Sequence, residues 1–171
     1  PVKFALAEQK LRFVVGAAAA VAGAEFVYLC VPTPQAVDGA ADLSFVESVA
    51  VEIGPLLASE SIVINKSTVP VGSTRIVQQA LRRPDVLVVS NPEFLREGSA
   101  VRDFLNPDRI VVGSTSQDAA ERVAALYARL GAPTVLTIDW KTEHPDAVRR
   151  FAAFLDAHPD WFSSAPKAAD S

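Results

Sequence analysis

The sequence predicts an α/β fold in which a mostly parallel sheet is covered by helices on both faces. Short β-branched runs alternate with longer amphipathic runs, and this order favours right-handed crossovers between parallel strands. The β-branched runs are continuously apolar, as expected of strands that are buried on both faces. A length of 171 residues suits one domain with at most a tail.

Five segments are predicted to be strands, because each is a short apolar run bounded by Pro, Gly or polar residues. In chain order, these segments are 26–31, 61–66, 86–91, 109–113 and 133–138, with 11–15 as a candidate sixth. Sheets of this kind bind ligands at the carboxyl ends of their strands. The residues that directly follow the strands are therefore candidates for a site.

Three segments with apolar residues at three- and four-residue spacing are predicted to be helices, namely 43–57, 73–81 and 117–130. Asp42 or Ser44 is placed to cap the first of these helices, and Gly131 is placed to end the third. Helices of this length between strands would cover the sheet and complete its core.

The composition changes beyond about residue 139, where both Trp and both His lie. We therefore expect a domain over 1–138 and a divergent tail over 139–171. The tail has one candidate helix at 147–157 and ends in small or polar residues that are expected to be disordered.

Charge, hydropathy and cysteine content argue against several classes of function. The formal charge of −4 and the lack of long Lys or Arg runs argue against a nucleic-acid partner. The longest apolar stretch, 13–37, is broken by Gly, Pro and Glu residues, so no transmembrane helix or membrane partner is predicted. Cys30 is the only cysteine and no signal peptide is recognisable, so a reducing cytoplasm is expected.

Polar residues follow three of the predicted strands directly. The first strand is followed by a Pro-rich turn, the second by Ser67 and Thr68, and the third by Asn91, Glu93 and Glu97. Hydroxyls, carboxylates, an amide and free backbone N–H groups would meet at one rim of the sheet. Such a rim suits a polyhydroxylated or phosphorylated ligand.

Three sequence strings at this rim are VPTP, NKSTVPVGST and SNPEFLREGSAVRDFLNPDRIVVGS. They resemble the UDP-glucose 6-dehydrogenase family, within the larger UDP-glucose/GDP-mannose dehydrogenase group, and the resemblance covers roughly residues 4–138. It implies that 1–138 is a partial NAD-binding domain with a partial doubly wound, Rossmann-like parallel sheet. It also implies an enzyme that uses NAD to oxidise the C6 alcohol of UDP-glucose twice, through an aldehyde and a cysteine-bound thioester, to UDP-glucuronate. The full-length enzyme would be a homo-oligomer.

The resemblance also implies roles for individual residues, and it implies no metal. The residues expected to line the NAD site are Val31, Pro32, Thr33, Pro34, Ser67, Thr68 and Glu97. The residues expected to line the sugar nucleotide are Glu93, Phe94, Leu95, Arg96 and Glu97. Thr68 would also hold a catalytic water, Glu93 would assist water or proton transfer at C6, and Glu97 would face both sugar and nicotinamide. A carboxylate beside an alcohol or thioester can act in this way as a base.

Each of these residues also has a simpler interpretation. By spacing alone, Glu93 and Glu97 are more typical of a solvated helix face than of a catalytic pair. Lys66 is either a phosphate or sugar contact or an ordinary surface lysine. Cys30 lies in an apolar strand and lacks a glycine-rich context, so it is expected to be an inert core residue rather than a nucleophile.

The sequence departs from the family at two points. It contains no GxGxxG turn followed by an acidic residue, and it lacks the lysine and asparagine pair and the cysteine domain. We therefore expect a fragment with apolar sheet edges, low solubility or swapped oligomers, and no turnover of UDP-glucose by this polypeptide itself. One alternative is a related dehydrogenase acting on GDP-mannose or a UDP-N-acetylhexosamine. Another is a non-catalytic module that binds a nucleotide or a partner subunit.

Overall fold

A computed structural model describes residues 2–35, 41–67 and 72–138 of the chain. The helices are α1 (Val2–Ala7), α2 (Ala17–Val21), α3 (Ser44–Ile53), α4 (Ser73–Leu81), α5 (Ala100–Leu105) and α6 (Gln117–Leu126), with 3-10 turns at Gly54–Leu56 and Ala128–Leu130. The strands are β1 (Phe26–Leu29), β2 (Ile62–Asn65), β3 (Leu87–Ser90), β4 (Ile110–Ser114) and β5 (Thr134–Ile138). No helix in these ranges is long and apolar enough to cross a membrane. The predicted tail over 139–171, with its candidate helix, lies outside the described residues.

All five predicted strands form, in one sheet of order β1-β2-β3-β4-β5, whereas 11–15 is not a strand. Three of the neighbouring pairs are parallel, as predicted, but β3 and β4 are antiparallel. An antiparallel neighbour needs no crossover connection, so the chain that leaves the end of β3 returns beside it as β4. As a result, β4 begins at the edge where β1, β2 and β3 end.

The three predicted helices are confirmed. The first is α3 followed by the 3-10 turn Gly54–Leu56, the second is α4, and the third is α6 followed by the 3-10 turn Ala128–Leu130. The backbone N–H of Ser44 donates to Asp42 Oδ1 at 2.9 Å, and the Ser116 hydroxyl caps α6 by accepting from the Ala119 N–H at 3.3 Å. Gly131 ends the third helical segment with φ of 64°, a conformation that glycine adopts without strain. Helices α1, α2 and α5 were not predicted.

The core has two layers, one on each face of the sheet. On one face, α2, α3 and α4 pack over Val63, and on the other, α6 packs over Ile62 and Ile64. All four residues of β2 are fully buried, as the continuous apolar run predicted. Helices therefore cover both faces of the sheet in the described part of the chain.

Apolar residues stay exposed at the margins of this domain. The edge strand β5 leaves Val135 and Leu136 40% and 39% exposed, and helix α1 buries none of its residues. Such margins agree with the expectation of apolar edges, while low solubility and oligomerisation remain predictions.

Candidate functional site

The carboxyl ends of β1, β2 and β3 lie side by side, as predicted. The strand register pairs Leu29 with Asn65 and Asn65 with Ser90. Backbone hydrogen bonds continue past the strands, from the Lys66 N–H to the Leu29 carbonyl and from the Asn91 N–H to the Asn65 carbonyl, each at 3.0 Å. The three polar segments after these strands therefore start from one rim.

The two turns predicted to contact NAD are joined directly. The Ser67 hydroxyl donates to the carbonyl of Val31 at 2.7 Å, which fixes the turn after β1 against the turn after β2. Pro32 and Pro34 are exposed on this turn, so a ligand could reach its surface. Thr68 lies outside the described residues.

A cleft of about 500 Å³ opens at this rim. It is lined by Tyr28, Cys30, Lys66, Glu93, Leu95, Phe104, Leu126, Tyr127, Arg129 and Leu130. Two of the predicted substrate residues, Glu93 and Leu95, are among them. Phe94, Arg96 and Glu97 are exposed on the same loop but are not part of the lining. Tyr28, Phe104, Tyr127 and Arg129 were not predicted as site residues.

The side chain of Asn91, a residue that is 1% exposed, makes three hydrogen bonds beside the cleft. Its Nδ2 donates to the Val111 carbonyl in β4 at 2.8 Å. Its Oδ1 accepts from the Tyr127 hydroxyl at 2.5 Å and from Lys66 Nζ at 3.3 Å. The Tyr127 hydroxyl lies 3.3 Å from that of Tyr28, so the network joins β1, β2, β3, β4 and the end of α6. The antiparallel placement of β4 is what brings its carbonyl to Asn91.

Burial and charge set the acid–base properties of the cleft. Burial lowers the pKa of Lys66, although Glu93 and Cys30 act in the opposite direction. Burial raises the pKa of Tyr127, and its hydrogen bond to Tyr28 adds to the effect. Lys66 therefore sits as a partly desolvated cation within the electrostatic reach of Glu93.

The prediction that Cys30 belongs to the core is wrong. The residue is exposed, and it lines the cleft, because the end of β1 lies at the rim rather than inside the sheet. Partial burial of its thiol raises its pKa, and the nearby Glu93 raises it further, while Lys66 opposes both. A raised pKa disfavours the thiolate, which agrees with the expectation that Cys30 is not a nucleophile.

The segment from Glu93 to Glu97 is a loop and turn rather than a helix, so the two carboxylates do not share a helix face. Arg96 donates three hydrogen bonds to Asp103, from Nη2 to Oδ1 at 2.9 Å, from Nε to Oδ2 at 3.2 Å and from its backbone N–H to Oδ2 at 3.1 Å. The Ser99 hydroxyl donates to Asp103 Oδ2 at 2.8 Å. The Arg96 guanidinium and the Ser99 hydroxyl hold the pKa of Asp103 well below its usual range. This cluster ties the loop to α5 and leaves the Arg96 side chain 80% exposed.

The aromatic ring of Phe94 lies under the guanidinium of Arg109, with 5.3 Å between the guanidinium carbon and the ring centroid. Arg109 directly precedes β4, so this cation–π contact fixes the middle of the loop to the start of that strand. The loop that carries Glu93 is thus anchored at Asn91, at Phe94 and at Arg96.

Comparison with known proteins gives a consistent result. Residues 1–131 match the domain described as UDP-glucose/GDP-mannose dehydrogenase family, NAD binding domain. A UDP-glucose 6-dehydrogenase of Pseudomonas aeruginosa is 46% identical over 127 residues, which are 70% of this chain and 28% of that protein. A UDP-glucose 6-dehydrogenase of Bacillus subtilis is 41% identical over 135 residues, which are 76% of this chain and 29% of that protein.

Two solved structures are similar in fold. A UDP-glucose dehydrogenase from the archaeon Pyrobaculum islandicum has a TM-score of 0.75 at 36% identity, over 90% of this chain and 37% of that one. A GDP-mannose dehydrogenase from Pseudomonas aeruginosa has a TM-score of 0.65 at 26% identity, over 84% of this chain and 35% of that one. The predicted Rossmann-like sheet and the predicted NAD-binding domain are thereby confirmed.

Proposed function

Because this chain belongs to the UDP-glucose/GDP-mannose dehydrogenase family, we propose that it forms the part of a UDP-glucose 6-dehydrogenase that faces NAD and the sugar nucleotide. The observation that carries the proposal is the cleft at the strand ends, in which Glu93 and Leu95 meet Lys66 and two tyrosines. The reaction would convert UDP-glucose to UDP-glucuronate in the cytoplasm, within a homo-oligomer. UDP-glucose is favoured over GDP-mannose because the relatives named for UDP-glucose are 46% and 41% identical, against 26% for the GDP-mannose dehydrogenase.

The described residues fit the edge of an NAD site. The turn after β1 exposes Pro32 and Pro34, and the hydrogen bond from Ser67 to the Val31 carbonyl holds it against the turn after β2. The residues that would hold the cofactor are Val31, Pro32, Thr33, Pro34, Ser67, Thr68 and Glu97. When bound, NAD supplies the hydride acceptor for oxidation of the alcohol.

Glu93 is the group best placed to move a proton at the substrate. Its carboxylate lines the cleft, where it could accept the proton of the C6 hydroxyl or of an attacking water. Thr68 would hold that water, and Phe94, Arg96 and Glu97 would complete the substrate surface from the exposed loop. The anchored loop supports this role, because a base must be held close to the atom from which it takes the proton.

The proposal is tested by isothermal titration calorimetry of the 171-residue protein with UDP-glucose and with NAD. We expect both ligands to bind, and Glu93→Gln to weaken UDP-glucose about tenfold, since a hydrogen bond to a charged group contributes roughly 1.5–3 kcal/mol. Glu47→Gln, which changes an exposed glutamate on α3, is the matched control and should bind like the wild type. Absence of binding by the wild-type protein would overturn the proposal, and wild-type affinity in Glu93→Gln would remove Glu93 from the site.

A second expectation concerns turnover. The 171-residue polypeptide should form no NADH from UDP-glucose and NAD, because its sequence has no GxGxxG turn to seat the NAD pyrophosphate for hydride transfer and its one cysteine, Cys30, lacks the glycine-rich context of a nucleophile. NADH absorbance over several hours measures this directly. Steady NADH formation that is lost in Cys30→Ser would show that the thiol reacts after all.

A further inference from the structure

The Lys66 side chain lines the cleft, and the proposed function gives it no role. Its ammonium is partly buried and donates to Asn91 Oδ1 at 3.3 Å, while its Nζ lies 5.7 Å from the centroid of the Tyr127 ring. An ammonium has three N–H donors, and among the described residues only Asn91 accepts a hydrogen bond from this one. Within the described part of the chain, two donors are therefore left for a ligand in the cleft.

The anchor of Lys66 is itself rigid. Asn91 cannot turn its amide without losing the bond from Nδ2 to the Val111 carbonyl, so Oδ1 stays directed at Lys66 and Tyr127. The Tyr127 ring also supports the cation from one side. A lysine held in this way presents its free donors in a fixed direction, which an ordinary surface lysine does not do.

The partner chemistry follows from the other groups in the cleft. Glu93 is an acceptor and carries a negative charge, so a phosphate beside it would be repelled and could not donate to it. A sugar hydroxyl can accept from Lys66 and donate to Glu93 at the same time. Phe104, Leu126 and Leu130 form an apolar part of the lining that suits the C–H faces of a pyranose ring. The guanidinium of Arg129, which also lines the cleft, is the cation left for a diphosphate.

We propose that Lys66 binds a hydroxyl of the sugar ring of the nucleotide sugar, opposite Glu93, and that Asn91 and Tyr127 position it. The proposal rests on the function proposed above and adds a substrate-binding residue to it. In this proposal, Lys66 contacts the hexose and does not contact the diphosphate. It thereby decides between the two interpretations of Lys66 that the sequence left open.

The test compares UDP-glucose with UDP, which lacks the sugar, by calorimetry on the 171-residue protein. In Lys66→Met, the dissociation constant for UDP-glucose should rise about tenfold to a hundredfold, while that for UDP should change by less than about twofold. Lys66→Gln, which keeps a neutral donor, should lie between Lys66→Met and the wild type. Lys10→Met is the matched control, because Lys10 is 72% exposed and pairs with Glu8 rather than with the cleft.

The outcomes separate this inference from the proposed function. Equal weakening of UDP and UDP-glucose in Lys66→Met would place the lysine at the diphosphate and overturn the inference. Unchanged UDP-glucose affinity in both Lys66 variants, with binding intact in the wild type, would overturn the inference and leave the proposed function standing. Absence of wild-type binding would overturn both. Circular dichroism on each variant establishes that it is folded, and Lys66→Gln serves for the test if Lys66→Met is not.

Discussion

Asn91→Leu is expected to lower the free energy of unfolding by on the order of 2–4 kcal/mol, because it breaks a buried hydrogen-bond network while nearly keeping the side-chain shape. The change leaves the Val111 carbonyl without its 2.8 Å donor, and the Tyr127 hydroxyl without its acceptor. It also removes the acceptor of Lys66 and so leaves a partly buried cation without its hydrogen-bond partner. Equilibrium unfolding in urea, followed by circular dichroism, gives the value.

A second variant separates the parts of this effect. Tyr127→Phe removes one hydroxyl from the network and keeps the ring that supports Lys66, so it should lower stability by less than Asn91→Leu does. If Asn91→Leu unfolds at the wild-type urea concentration, then the network contributes nothing net to stability. The rigid anchor proposed for Lys66 would then lose its basis.

The strands and the rim could be predicted because both depend on local sequence. A continuous apolar run bounded by turn residues defines each strand, and Ser67, Asn91 and Glu93 follow such runs directly. Since β1, β2 and β3 are parallel, these residues meet at one edge whatever the details of packing. The predicted rim therefore forms, and the hydrogen bond from Ser67 to the Val31 carbonyl joins two of its turns.

The direction of β4 could not be predicted from its residues. Ile110–Ser114 has the same β-branched character as the parallel strands, and its direction depends on the path of the connection before it. Helix α5 in that connection has only six residues, which are too few for an apolar periodicity to be distinguished from a loop, and it buries none of them. Helix α1 was missed for the same reason.

The cleft depends on contacts that are distant in sequence. Tyr28 and Tyr127 are 99 residues apart, and each lies in a segment whose other residues indicate only core packing. The position of Cys30 inside the predicted strand 26–31 indicates a core residue, but β1 ends at Leu29, and Cys30 just beyond it is exposed at the rim. The alternation of Tyr28 and Cys30 along β1 is the signal that could have been used, because residues two apart share one face of a strand.

The second large effect is expected at Asn65, which is the counterpart of Asn91 on the neighbouring strand. Asn65 is fully buried at the end of β2, and neither its Nδ2 nor its Oδ1 has a hydrogen-bond partner among the described residues. By the alternation of the strand, its side chain lies on the face of Val63, away from the face that carries the Tyr127 network. A buried amide without partners is unfavourable, and sequences that keep one do so at some cost to stability.

Asn65→Leu should therefore raise the free energy of unfolding by roughly 1–3 kcal/mol, since it replaces an amide that has no partner within residues 2–35, 41–67 and 72–138 with an apolar group of similar shape. The same substitution should thus have opposite effects on stability at two buried asparagines, one at the end of β2 and one directly after β3. Urea unfolding of both variants under one set of conditions measures the contrast. Asn65→Asp, which would bury a carboxyl there, should lower the free energy of unfolding. That result would show that the surroundings of residue 65 favour an apolar side chain. A loss of stability in Asn65→Leu would contradict this account, because it would mean that the folded protein in solution satisfies the amide.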